Sequence, residues 1–434
     1  MAVKKPLRLT MRCYGVGFGD CFLLTFHYGG TTGDRHMLVD FGSTQHPPNA
    51  KSGLMKLVAK DIATVVGTKL HVLVATHRHA DHINGFTTNK SKTGPGDIIA
   101  GLSPQLVVQP WTEQPDAPKD FIGTGAPNMM GADDALRLSL NRMSEVASAA
   151  SVEARHLTEA RSEIKFIADD GVKNLSAIKN LASMGKKTKA AYVRYDSKVA
   201  AFKTLLPGVK VTILGPPTIK QKKDVLKQNP VNKKEYWHFA QFWKLRAAAS
   251  NVAPGALALF PSARSYRTLR QIPVEDRWFV RRQRDLRAQQ LLGLVRSMDD
   301  ALNNTSVILL LEAGKKKLLF PGDAQWENWE LALKKNAAIL KDVDIYKVGH
   351  HGSLNATPKT LWNAFSRRST KKDKKGRLVT VMSTRSDSKH GTEDNESEVP
   401  RGKLVTALKA NSTHRSTQEL ETAGGLVLTL EFDL

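Results

Sequence analysis

Cysteine is almost missing from this chain: 434 residues contain only Cys13 and Cys21. A disulfide framework is therefore excluded as the stabilising principle, and so few thiols point to a reducing compartment. Long apolar runs are missing too. No stretch approaches the ~20 apolar residues that a spanning helix needs. Lys4, Lys5 and Arg8 are not followed by the apolar run of roughly 7–15 residues found in a secretory leader before Gly19-Asp20 interrupts. The expectation is a cytoplasmic protein without a membrane partner. Acidic residues are scarce as well, with 41 Asp and Glu against 65 Lys and Arg, a formal net charge of +24. Such a field attracts polyanions and predicts salt-sensitive nucleic-acid binding; the alternative is a basic but inert surface.

What the chain does have is Thr76-His77-Arg78-His79-Ala80-Asp81-His82. Three imidazoles and a carboxylate this close form a ligand set for a pair of divalent ions. His77 and His79, two apart, can turn toward one ion, and the adjacent Asp81 and His82 can supply a second. Imidazole nitrogen with carboxylate oxygen suits zinc best, and manganese where carboxylates dominate. The apolar run Val72-Leu73-Val74-Ala75 just upstream reads as a buried strand that delivers these ligands to a sheet edge.

Five segments carry a resemblance. His77-x-His79-x-Asp81-His82 resembles the signature of the metallo-β-lactamase fold. Cys13-Tyr14-Gly15-Val16-Gly17-Phe18-Gly19-Asp20-Cys21-Phe22-Leu23-Leu24 is similar to the opening "VGQGD-x-x-LL" of the ComEC-type competence proteins, and Leu38-Val39-Asp40-Phe41-Gly42 to the turn that follows it. Leu319-Phe320-Pro321-Gly322-Asp323 and Lys347-Val348-Gly349-His350-His351-Gly352-Ser353 resemble that branch's later motifs, in the right order. The resemblance covers roughly 1–110 and 300–434. It implies an α/β fold, an αββα sandwich of the metallo-β-lactamase type, as the nuclease-like portion without the membrane channel.

The same resemblance implies ligand roles. One ion falls to His77 and His79, the other to Asp81, His82 and His351, with Asp323 shared between them. His351 is chosen over His350 because it precedes the glycine of the last motif. The catalytic candidates are Asp81, His350 facing the substrate, and His390 as a general acid for the leaving group. One departure stands out: many members place a further histidine before the bridging aspartate, whereas here that interval holds only His156 and His238, and Gly215-Pro216 follows Leu214.

Along the chain, Phe22–Phe26 and Met37–Val39 read as strands joined by glycine turns. Asp40 follows, where it either orients a ligand histidine or caps the turn. Gln105–Val108, Val209–Leu214, Val307–Leu311, Lys317–Phe320, Ile345–Val348 and Val379–Met382 read as further strands. Leu426-x-Leu428-x-Leu430-x-Phe432-x-Leu434 alternates as a strand with one buried face. Leu136, Leu140, Met143 and Ala147 suggest a helix behind Asp133 and Asp134; Leu175, Ile178 and Leu181 suggest another. A helix with Trp326, Trp329 and Leu333 on one face follows Asp323. The reading is a single hydrolase domain over 1–434 with a helical insertion at about 113–206 and a second at about 218–300.

The second insertion groups Tyr236, Trp237, Phe239, Phe242 and Trp243, then Arg264, Arg267, Arg270, Arg277, Arg281, Arg282, Arg284 and Arg287. Arginine forks grip phosphates and aromatic rings stack on bases, so this segment is the candidate substrate surface, although core packing accounts for most of the aromatics. A basic loop, Arg367 to Arg377, lies between two motif-bearing strands.

Two ions held about 3.5–4 Å apart ionise a shared water and stabilise charge on a phosphoryl or acyl oxygen. The leading expectation is a two-metal phosphodiesterase or nuclease, zinc favoured and manganese open, using a metal-bound hydroxide on nucleic acid, DNA before RNA. The alternatives are a hydrolase of a small anionic ester or cyclic nucleotide, and a nucleic-acid-binding scaffold with a degenerate metal site.

Overall fold

The computed structural model describes residues 4–114, 174–218, 302–353, 357–386 and 399–434, with 221, 274, 277–279 and 282. The chain divides into two compact units, one of 1–116, 173–225 and 302–434, the other of 117–172 and 226–301. The first unit holds every described strand.

It is a mixed α/β structure with two mixed sheets. The first has the spatial order β13 (Val427–Asp433), β1 (Arg8–Tyr14), β2 (Cys21–His27), β3 (Arg35–Phe41), β4 (Val72–Val74), β5 (Leu106–Pro110), β6 (Ala190–Val193). From β13 to β3 the pairing is antiparallel, and from β3 to β6 it is parallel. The second sheet runs β12 (Thr413–Ser416), β11 (Val379–Met382), β10 (Ile345–Lys347), β9 (Lys316–Phe320), β8 (Ile308–Ala313), β7 (Val209–Gly215). Its β7–β8–β9 part is antiparallel and its β9–β12 part parallel.

One apolar core joins the sheets face to face. Leu9, Met11, Phe22, Leu24, Met37, Val39, Val72 and Val74 from the first meet Leu309, Leu311, Leu318, Phe320, Ile345 and Val381 from the second. At its centre Phe22 and Phe320 meet edge to face, with ring centroids 5.7 Å apart. Helices cover the outer faces. Residues of α1 (Leu54–Val66), α2 (Ala80–Ile83), α3 (Pro95–Gly101) and α4 (Leu175–Lys187) pack with the first sheet, and a short α5 (Ala201–Leu205) packs into the central core. The second sheet is covered by α6 (Trp326–Lys341), α7 (Lys359–Ala364) and α8 (Gly402–Asn411). Strands buried on both faces, such as Val72-Leu73-Val74, have to be apolar throughout, and this explains their continuous runs.

The expected strands all form, and the alternating C-terminal run becomes β13, paired along its length with β1. Two readings are corrected. Residues 174–206 do not belong to an insertion: β6 pairs with β5 and α4 packs on the first sheet, so the short Ala190–Val193 run was too small to read as an edge strand. Trp326 is 42% exposed at the first position of α6, whose buried face is Trp329, Ala332 and Leu340 with Leu333 packed beside them. The basic loop 367–377 lies between two motif-bearing strands, as expected, and because it precedes β11 it is at the opposite end of the parallel strands from His351. The helix expected at Leu136–Ala147, His156, His238, the aromatics 236–243 and most of the arginine stretch lie outside the described residues. Within that stretch Arg277 and Arg282 are described, and Arg282 is exposed beside Trp278 and Phe279, which are also exposed.

Phe22→Ala should cost about 3–5 kcal/mol by opening a void between the sheets. The urea midpoint should fall with an unchanged slope.

Candidate metal centre

The parallel strands set the location. The carboxyl ends of β3, β4 and β5 share one edge of their sheet, and those of β9, β10 and β11 share one edge of theirs. After β4 the chain bonds through Ala75 to Val108, passes Thr76 to His79, and turns into α2 with the His82 amide on the His79 carbonyl. There is no side chain on Gly42 because a Cβ there would meet backbone atoms of Ala80, Asp81 and His82 at 2.5 Å. The end of β3 therefore lies directly against the ligand turn.

Asp40 fixes that turn. Its φ of 56° places it in the left-handed region, which an aspartate tolerates better than most residues. Its carboxylate accepts from the Thr76 amide at 2.7 Å and the Thr76 hydroxyl at 2.7 Å, and faces His82 Nδ1 at 2.8 Å. Both roles the sequence allowed are present: the carboxylate caps the turn through Thr76 and faces a histidine of the cluster.

Six predicted ligands come together in two overlapping groups. Asp81, His82, Asp323 and His351 have donor atoms mutually within 4.8 Å, as do His77, His79 and Asp81; all are buried among the described residues. Asp81 is the carboxylate common to both, a role that the resemblance assigned to Asp323. His82 Nε2 lies 3.1 Å from Asp323 Oδ2 and 3.6 Å from Asp81 Oδ2. His351 donates from Nδ1 to the Ser383 carbonyl at 2.9 Å, which turns its Nε2 to Asp81 Oδ2, also at 2.9 Å. His77 Nε2 lies 3.1 Å from His79 Nδ1. Asp323 is held by its own amide on Ser306 Oγ at 3.2 Å.

His350 lies on the rim. Its side chain keeps 31% exposure, its Nδ1 pairs with Ser353 Oγ at 2.9 Å, and its Nε2 is 3.8 Å from Asp323. Both His350 and His351 have positive φ, 41° and 52°, a strained pair of the kind that collects at functional sites. His390 lies outside the described residues.

Residues that the sequence reading gave no role complete the setting. Asp20, buried at the end of the first glycine-rich segment, pairs with the ammonium of Lys347, which is also 3.7 Å from Asp323 Oδ1. A lysine inside the otherwise apolar Ile345-Tyr346-Lys347-Val348 was the available signal, since a charge in a buried strand requires a partner. Asp20, Asp40 and His82 form a third acidic group, but Lys347 already supplies the positive charge there.

Electrostatics separate the two ligand groups. Burial, then His82 and His79, holds His77 well below its ordinary value, so it is neutral. Burial alone would also lower His82, but Asp323, Asp81 and Asp40 raise it well above. His351 is raised against burial by its bond to Asp81 and by Asp323. Asp81 and Asp323 are lowered against burial, in both cases chiefly by His82. Two carboxylates shifted toward the anion thus face two imidazoles shifted toward the cation.

The donor set fits a divalent ion. Asp81 Oδ1, Asp323 Oδ2 and His82 Nε2 are buried without a well-formed hydrogen bond, although the last two lie 3.1 Å apart as an ion contact. Buried polar atoms in that state are costly unless something else binds them. The buried His and Asp groups can therefore hold a metal ion.

No protein-family model matches the sequence, and a search of curated proteins finds no match.

Two predictions follow from this geometry. Loading a cation on the Asp81, His82, Asp323 and His351 group requires both imidazoles to free their Nε2, and both are raised above their ordinary value, so protons should be released on binding there and affinity should rise with pH. Calorimetry in buffers of differing ionisation heat reads this directly, and no released proton would contradict it. Asp40→Asn keeps tolerance of the left-handed conformation but presents an amide to His82 and Thr76. It should weaken metal affinity about 10–100-fold in equilibrium dialysis with the circular-dichroism spectrum unchanged.

Proposed function

We propose that this protein is a metal-dependent hydrolase of the metallo-β-lactamase type, an αββα sandwich like the soluble part of the ComEC-type competence proteins. Its proposed substrate is nucleic acid, DNA before RNA, cut at phosphodiester bonds. The observation that carries this reading is the buried Asp81, His82, Asp323 and His351 cluster against His77 and His79. The face-to-face sheets, the order of the motifs and the net charge of +24 support it.

A divalent pair, zinc favoured and manganese open, supplies Lewis acidity toward a phosphoryl oxygen and an ionised water at neutral pH. The protein's part is positioning. Asp81, His82, Asp323 and His351 would hold one ion, and His77 with His79 the other. Asp40 and the Ser383 carbonyl hold Nδ1 of His82 and His351, which leaves each Nε2 for the ligand role. Lys347 offsets the charge of Asp20 and Asp323 and keeps their carboxylates from repelling one another. His350, partly exposed beside Asp323, is placed to donate to a phosphate oxygen. His390 remains the proposed general acid.

A small anionic ester is the second reading. One observation favours it: the basic loop 367–377 is at the far end of the strands from the ligands, so its charge does not line the metal edge. Salt distinguishes the two, because a polyanion making 6–10 phosphate contacts loses about 10³–10⁵ in affinity between 50 and 200 mM salt, whereas a small ester does not.

Metal-stripped protein re-supplied with zinc or manganese should cut labelled DNA, and Asp81→Ala and His82→Ala should each lower cutting by at least ~100-fold. Equal cutting by the wild type and both variants would overturn the assignment.

A further inference from the structure

The group of His77 and His79 is poor in ligands: two imidazoles and a carboxylate that it shares with the neighbouring group. Among the described residues no further histidine donor joins this group. The structure places a different side chain there. Asn303, 3% exposed, directs its Oδ1 to within 3.1 Å of His79 Nδ1, the same nitrogen that lies 3.1 Å from His77 Nε2.

The turn around Asn303 is built to hold it. Thr305 donates from both its amide and its hydroxyl to the Leu302 carbonyl, and the Ser306 amide bonds to the Asn303 carbonyl. The next residue, Val307, donates to the Thr76 carbonyl at 2.9 Å, which fastens the turn to the ligand segment itself. Ser306 meanwhile carries the amide of Asp323. One short turn therefore positions both Asn303 and Asp323.

We propose that the side-chain oxygen of Asn303 is a ligand of the His77–His79 site, and that it moves this site's preference from zinc toward manganese or magnesium. The inference rests on the metal-dependent reading above. Two donors about 2.1–2.2 Å from one ion and at right angles are roughly 3 Å apart, the spacing that His77 Nε2, His79 Nδ1 and Asn303 Oδ1 show in sequence. A neutral amide oxygen is a harder donor than imidazole. It suits the octahedral, oxygen-preferring ions and gives up part of zinc's advantage.

The test is competitive equilibrium dialysis of the full chain, stripped by chelator, against zinc and manganese chlorides, with bound metal counted by mass spectrometry. Asn303→His should raise the zinc-over-manganese ratio at one equivalent by at least tenfold. Asn303→Ala should lose one equivalent, and Asn303→Asp, close in volume and still an oxygen donor, should keep it with manganese favoured. His82→Ala acts on the other group and should leave the Asn303-dependent equivalent in place. An unchanged metal ratio in Asn303→His, in protein whose thermal midpoint matches the wild type, would overturn the proposal even if His82→Ala still removed the other ion. A wild-type chain that takes up neither metal would overturn the metal reading as a whole.

Discussion

A single buried carboxylate organises the ligand turn. Asp40 closes β3 in the left-handed region, grips Thr76 through its amide and hydroxyl, and holds the imidazole of His82 from behind. Thr76 in turn accepts from Val307 and so reaches the turn that carries Asn303 and Asp323. The strain of the left-handed backbone persists because the neighbours over-determine it, with Gly42 leaving no room for a side chain against α2.

Charge balance is the second constraint. A buried group of carboxylates is tolerable only with compensating charge, and here Lys347 serves Asp20 while His82 and His351, both raised above their ordinary value, serve Asp81 and Asp323. Two protons and one divalent ion carry the same charge. Exchange of one for the other leaves the charge of that group unchanged.

Most of the fold was readable from pattern. Buried parallel strands must be apolar along their length, and edge strands must alternate, so β4, β10 and β13 announced themselves. Short β6 did not, because Ala190-Ala191-Tyr192-Val193 carries too little periodicity and gains its place only by pairing with β5. At the site, histidines and aspartates of one short motif were legible because few other roles need them so close together. Asn303 was not. Nothing in Leu302-Asn303-Asn304-Thr305 separates a ligand from an ordinary turn until the fold brings it against His79, 224 positions earlier. The sharing of Asp81 between the groups is likewise a fact of three-dimensional spacing, and no linear motif encodes it.

The donors come from both sheets. His77, His79, Asp81 and His82 follow β4 of the first, while Asp323 and His351 follow β9 and β10 of the second. Distances within the first set are fixed by one loop and within the second by two loops of adjacent strands, but those between the sets depend on how one sheet rests upon the other. The site is thus assembled like the two halves of a mould, and its dimensions are those of the seam. A change of side-chain volume at Phe22 or Phe320, well inside the core, would slide one half over the other and alter the cross-sheet spacings together. Residues that never approach the ligands therefore set the tolerance to which the ligands are held.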